Sequence, residues 1–219
     1  MADLSTIYQA RFSQTGLGKR ERVWRALCSS FFQRKVGPNK TVLDLACGYG
    51  DFINHIEAKA KFAVDLNPDA KQHLSGDIQF SNAPATDLGS VPDEALDVVF
   101  TSNFLEHLPD KTALDAVFLQ VHKKLKPGGK FIVLGPNIKY AYREYWDFYD
   151  HYIPLSHLSL AEGLSISGFS IEEVIPKFLP FTMNNATPAH PLLVKAYLRL
   201  PIAWKVMGKQ FLVIARKDS

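Results

Sequence analysis

Short apolar runs alternate along the chain with stretches whose apolar residues recur at helical spacing. The runs at 41–45, 61–66, 78–83, 96–103, 130–135, 169–175 and 210–217 read as strands. Val23, Trp24, Leu27, Cys28, Phe31 and Phe32 predict an amphipathic helix over 19–36, stopped by Gly37-Pro38-Asn39. Its basic residues are expected to form a solvated face. Shorter helices are expected at 51–57 and 69–75. Leu114, Val117, Phe118, Val121 and Leu125 share one face of a helix over 112–125, followed by Gly128-Gly129. A further helix spans 159–167 and closes at Gly168. Residues 190–208 form an amphipathic stretch that Pro201 breaks in two.

The stretch most informative about chemistry is 41–52, Thr-Val-Leu-Asp-Leu-Ala-Cys-Gly-Tyr-Gly-Asp-Phe. It reads as strand, tight turn and helix start. Gly48 and Gly50 let backbone approach a ligand closely, and a helix start offers unpaired N–H groups. Asp44 lies inside the strand, where a carboxylate is costly without a partner, and a cationic ligand would supply one. The third glycine of a dinucleotide fingerprint is absent, since Ile53 stands at that place. Asp65 closes the next strand 15 residues after Gly50, near where an acid that binds ribose hydroxyls is expected.

Composition narrows the class. The 219 residues are 47% hydrophobic and 21% charged, enough for a sizeable core, and the net charge of +3 is too small to argue for a nucleic-acid partner. Two cysteines, Cys28 and Cys47, make no disulfide framework, so a reducing, cytoplasmic setting is expected. No apolar run reaches the length of a membrane span, and residues 1–15 are too polar for a signal peptide.

Asp44, Gly48, Gly50 and Asp65 together resemble the class I S-adenosylmethionine-dependent methyltransferases, with Ala46 where many members have glycine. Leu125-Lys126-Pro127-Gly128-Gly129-Lys130 before a strand adds to the likeness. The resemblance is strongest over 41–136 and, beyond 136, extends to bacterial methyltransferases of glycan or envelope pathways. It implies an α/β, Rossmann-like open seven-stranded sheet with helices on both faces and an antiparallel last strand, here 210–217. It implies S-adenosylmethionine as cofactor, with Asp44, Ala46, Gly48, Gly50, Asp65, Leu66, Thr86, Asp87, Asn103 and Phe104 around it and Ser102 nearby. Asp87 would meet the adenine amino group; capping a turn is the ordinary alternative. Tyr8 and Arg11 are further candidates, for closing over the cofactor's carboxylate.

The chain then divides into a helical cap (1–40), a cofactor core (41–136) and a substrate-side segment with the final strands (137–219), all one domain. Residues 137–157 carry seven aromatic side chains among acids and two histidines, which suggests a substrate pocket over the sheet's carboxyl end. His151, flanked by Asp150, is the first candidate general base, and His107, beside Glu106, the second. Glu106-His107 alone makes no metal ligand set, so no metal is expected. The expected reaction is methyl transfer to a small-molecule, glycan or lipid-linked acceptor, most simply at a hydroxyl. A non-catalytic cofactor-binding partner subunit would carry the same cofactor motifs. A nicotinamide-dependent reductase would need glycine at 53 and a Tyr-x-x-x-Lys pair, and the chain has neither. The basic, aromatic segment 190–209 could lie on a membrane surface; a helix covering the last strands is the plainer expectation. Membrane contact is therefore expected to be peripheral at most.

Overall fold

The structure, a computed structural model, describes residues 14–181 and 190–218. Tyr8 and Arg11 lie outside the described residues. A helical run opens the fold: α1 (Gln14–Leu27), a π turn (Cys28–Phe32) and α2 (Gln33–Val36). The expected apolar stripe is the buried one, and Gly37 ends the run at φ +83°. The wider π turn lets the consecutive residues Phe31 and Phe32 both face the core. The basic side is not wholly solvated: Arg20 pairs with Asp51, and Lys35 with Glu173.

The sheet has seven strands: β1 (Thr41–Leu45), β2 (Ala60–Asp65), β3 (Ile78–Asn82), β4 (Leu96–Ser102), β5 (Leu125–Pro136), β6 (Phe169–Ile175) and β7 (Gln210–Lys217). Their spatial order is β3-β2-β1-β4-β5-β7-β6, and β7 runs antiparallel to both neighbours. This is the open sheet that the resemblance implies. Strand order reverses between β1 and β4, the place where such sheets bind ligands. Asp44 sits in that register, beside Ala63 of β2 and Phe100 of β4.

Each face of the sheet is covered. On one side pack α3 (Lys111–Lys124) and α5 (His157–Ile166), through Val117, Phe118, Val121, Leu160 and Leu164. On the other lie the N-terminal helical run, Phe52 and Ile53. Phe52 stacks on Phe100 with ring centroids 3.8 Å apart, and Phe32 meets both rings edge-on. Three further helices lie after β5: α4 (Ile138–Tyr145), α6 (Pro191–Leu198) and α7 (Pro201–Met207). The last two are separated at Pro201, as its missing N–H requires.

Two expectations are corrected. The stretch 51–57 is a series of turns rather than a helix. Its polar groups are drawn elsewhere: Ile53 N–H donates to the Asp44 carboxylate, the Asn54 amide donates to His73 O, and His55 Nδ1 faces Asp51 O. The strand expected at 130–135 starts at Leu125, because Leu125 already pairs with Leu96. The Pro-Gly-Gly run is carried as an irregularity within it, with Gly128 at φ +74°.

Ala46, where the family resemblance leads one to expect glycine, holds φ +57°. The left-handed region costs an L-residue roughly 1–2 kcal/mol, and glycine gives back about 0.4–1 kcal/mol through the freer unfolded chain. Ala46→Gly should therefore stabilise the fold by about 0.5–1 kcal/mol. A denaturant midpoint at or below that of the parent protein would contradict this account of the turn.

Candidate active site

The turn after β1 is built on three left-handed residues, Ala46, Gly48 and Gly50. Gly50 has a second requirement: a Cβ there would lie 2.5 Å from Leu74 Cδ2 and 2.7 Å from Asn54 Nδ2. The turn is held to β2 from outside. Cys47 N–H donates to Val64 O (3.1 Å), and Gly48 N–H donates to Asp65 Oδ2 (2.7 Å). The other Asp65 oxygen accepts Asn67 N–H at 2.8 Å. From β4, Thr101 Oγ1 donates to Leu45 O at 2.9 Å. Within the turn, Tyr49 stacks on His73 at 3.9 Å between ring centroids.

Asp44, Asp51 and Asp65 bring three carboxylates to this turn. Asp44 is buried, and desolvation pushes its carboxyl well above the usual range. The Ile53 amide, 3.3 Å away, opposes the rise, while Asp51 and Asp65 add to it. Burial also raises Asp51, against the pull of Arg20. A cation placed here would relieve this strain. Burial pushes the Cys28 and Cys47 thiols far up, so neither is a nucleophile near neutral pH.

The remaining expected cofactor residues follow neighbouring strands at the same edge. Leu66, just past β2, is 53% exposed. Thr86 is half-buried and Asp87 exposed in the loop after β3, and Asp87 accepts Gly89 N–H at 3.0 Å. That bond is the turn-capping role, and the exposed carboxylate keeps acceptor capacity beyond it. After β4, half-buried Ser102 precedes Asn103, which holds φ +49° and donates its N–H to Leu134 O at 2.9 Å, and Phe104 is half-buried beside it.

Past Phe104 a short 3-10 turn, Leu105–His107, carries Glu106 and His107. The aromatic segment meets it there. Tyr152 and Ile153 both donate N–H to Glu106 O, at 2.8 and 3.2 Å. Tyr145 OH donates to Ile153 O, and Asn137 bonds His157 Nδ1 at 2.9 Å, tying down both ends of the segment. The segment thus lies against the turn that follows the carboxyl end of β4.

Asp150, expected to orient its neighbour His151, is found on His107. The His107 Nδ1 lies 2.9 Å from the Asp150 carbonyl oxygen and 3.1 Å from its Oδ2. Both oxygens can only accept while the carboxyl is ionised, so Nδ1 carries the proton and Nε2 keeps its lone pair. Burial pulls His107 toward the neutral form. The Asp150 bond and the charges of Glu106 and Asp150 outweigh it, and the net shift is upward. His151 is buried, its ring 4.8 Å from His107, 4.5 Å from Tyr145 and 4.8 Å from Phe148.

Sequence reasoning named Glu106-His107 as a pair and His151 apart, and missed that the three form one cluster with Asp150 on His107. Aspartate and histidine 43 positions apart leave no spacing signal to read. One ligand atom from each of the three lies within 4.8 Å of the others, a cluster that a divalent cation could draw together. Ligands about 2.1 Å from one ion stand roughly 3–3.5 Å apart, so the present spacing suits hydrogen-bonded side chains better than a finished ion site.

An open sheet reversing at β1 and β4, a left-handed glycine turn there, an acid inside β1 and another ending β2 are the marks of a class I methyltransferase. The chain belongs to the methyltransferase-domain family, which matches residues 17–174. Phosphoethanolamine N-methyltransferase 3 of Arabidopsis thaliana is 31% identical over 106 residues, 44% of this chain. The match spans only 21% of that longer protein. Among solved structures, an S-adenosylmethionine-dependent methyltransferase from Archaeoglobus fulgidus superposes with a TM-score of 0.67 at 23% identity, covering 98% of this chain and all of the other. The N-methyltransferase NodS of Bradyrhizobium japonicum, solved with S-adenosyl-L-homocysteine, gives 0.62 at 16% identity, covering 91% and 87%. The class cofactor is S-adenosylmethionine. The acid-rich turn fits it, since the sulfonium and ammonium groups are the kind of positive charge that Asp44 lacks.

Two substitutions separate these acids. Asp65→Ala removes the acceptor of two backbone amides and should weaken S-adenosylmethionine binding by about 1–3 kcal/mol, read by calorimetry. Unchanged affinity in a folded variant would remove Asp65 from the site. Asp44→Asn ends the charge burial. A carboxyl raised on folding adds stability at acid pH and loses it as pH climbs through the folded value. The asparagine variant should therefore melt higher than the parent at neutral pH without cofactor, yet gain less from its addition. Equal melting points would show that Asp44 carries no strain.

Proposed function

We propose that the protein transfers the methyl group of S-adenosylmethionine to a hydroxyl of a small-molecule, glycan or lipid-linked acceptor, with His107 as general base. The observation that carries this reading is the Asp150–His107 pair, standing beside His151 at the strand end next to the cofactor turn. The cofactor supplies an electrophilic methyl. The chain's contribution is then to align the acceptor in line with it, exclude water and take one proton. His107 Nε2 would accept the hydroxyl proton as the acceptor oxygen takes the methyl group, for which bound S-adenosylmethionine would supply the sulfur leaving group. Asp150 holds the ring and steadies the resulting imidazolium. His151 packs behind the ring and positions it, a change from the order in which the sequence ranked the two histidines.

The Arabidopsis relative, named for an N-methyltransferase, favours a second reading in which the acceptor is an amine. The same base would serve it, since an ammonium must lose a proton before it attacks.

His107→Ala should lower turnover about 10²–10⁴-fold with cofactor affinity kept. Because the folded pKa of His107 is raised, the acidic limb of activity should lie above the ordinary pH 6.5 of histidine. Asp150→Asn should move that limb down. Labelled methyl donor with fractionated acceptors provides the assay. A limb unmoved in Asp150→Asn, with full turnover in His107→Ala and loss in His151→Ala, would return the role to His151. Cofactor binding without transfer to any acceptor would favour a non-catalytic subunit.

A further inference from the structure

The helices α6 and α7 bury one face and leave the other apolar. On the inner side, Trp204 lies 5.2 Å from Phe178 and 6.1 Å from Phe31, and its indole N–H donates to Tyr197 O at 2.8 Å. Tyr197 OH donates to Phe178 O at 2.6 Å, and Leu198 is buried. These contacts fix both helices to the body through Phe178 and through Phe31 of the N-terminal helical run, where the plainer expectation had them cover the last strands. They leave Leu192, Leu193, Leu200, Ile202, Val206 and Met207 outside, with Ile202 70% and Val206 77% exposed. Six exposed apolar side chains on or beside two short helices that touch each other make a candidate contact site.

The charge around it has one sign. Residues 176–209 contain Lys177, Lys195, Arg199, Lys205 and Lys209 and no aspartate or glutamate. Lys209 is committed to Glu144. Lys195, Arg199 and Lys205 are exposed among the apolar residues, and among the described residues none of the three is paired with a carboxylate. Two short helices with aromatic anchors inward, aliphatic residues outward and unpaired cations between them match a negatively charged lipid interface, which takes apolar side chains and basic groups together. A protein partner would need directional polar groups that this surface offers sparsely.

We infer that the outer face of α6 and α7 docks on an anionic lipid bilayer. The residues that flank these helices meet the start of the aromatic segment: Lys177 lies 5.1 Å over the Tyr140 ring, Lys209 reaches Glu144, and Asn137 N–H donates to Lys209 O at 2.9 Å. Docking there would set the aromatic segment at the membrane, where a lipid-linked acceptor is held. That purpose rests on the proposed methyl transfer; the docking itself does not.

The test is cosedimentation of the full chain with vesicles of phosphatidylcholine alone and of phosphatidylcholine with phosphatidylglycerol. Binding is expected to the anionic vesicles only and to fade as salt shortens the reach of charge. Each removed cation should weaken it roughly fivefold, so Lys195→Gln, Arg199→Gln and Lys205→Gln together should cost about 10²-fold. Ile202→Asp with Val206→Asp, on side chains too exposed to affect folding, should abolish it. Failure to bind either vesicle, or binding unmoved by both sets of changes, overturns the inference. So does a concentration-dependent dimer, without vesicle binding, that Ile202→Asp dissolves. Methyl transfer to soluble acceptors should survive both sets, so loss of docking and loss of the catalytic reading give different results.

Discussion

The acceptance of backbone amides by two strand-end carboxylates is the constraint on which the site depends. Asp65 takes the Gly48 and Asn67 N–H groups, and Asp44 takes that of Ile53. A tight turn leaves such amides without the partners that a helix or sheet would give, and burying them unpaired would cost about 1–3 kcal/mol each. The carboxylates settle that cost and fix the turn's path, but they gather negative charge where water is scarce. The fold accepts a raised Asp44 and an incomplete balance from Arg20. A cation received beside Asp44 would complete the balance.

The second half of the site is held by a different device. Residues 137–157 belong to no strand, yet they are pinned by Asn137 to His157, by Tyr145 to Ile153 and by the Glu106 carbonyl to Tyr152 and Ile153. His157 is part of this frame. Burial and the nearby Lys139 lower its pKa, in keeping with a neutral ring that accepts from Asn137. The opposite shift at His107 comes from carboxylates rather than burial. Two histidines on or beside one segment thus shift in opposite directions, upward for the one next to acids and downward for the one held among apolar and basic groups.

Much of this was legible in the sequence because it is local. The apolar runs at 169–175 and 210–217 became β6 and β7 without a shifted end, and Pro201 divided α6 from α7. Glycine spacing and the acids at 44 and 65 marked the left-handed turn after β1 that the structure contains. What stayed hidden depends on partners distant in the chain. No helical periodicity reveals that Asp44 will take the Ile53 amide and help turn 51–57 into a succession of bends. Adjacency suggested that Asp150 serves His151, but backbone direction past Phe148 carries it to His107. Arg20 read as one charge on a solvated face until the sheet placed Asp51 opposite.

The distribution of charge follows from the same logic. A net charge of +3 looks unremarkable because it sums over regions of opposite character. Acids are concentrated in the crevice, at Asp44, Asp51, Asp65, Glu106 and Asp150, three of them buried or nearly so beside the cofactor turn. Bases without acids fill 176–209, on the outside. A field of this kind favours a cation in the crevice and anions at the shell. Interior acids are screened little by salt, whereas exposed lysines lose their reach over about a Debye length. Cofactor retention and surface attraction therefore respond differently to ionic strength, although both arise from side chains on one small sheet and the helices that cover it.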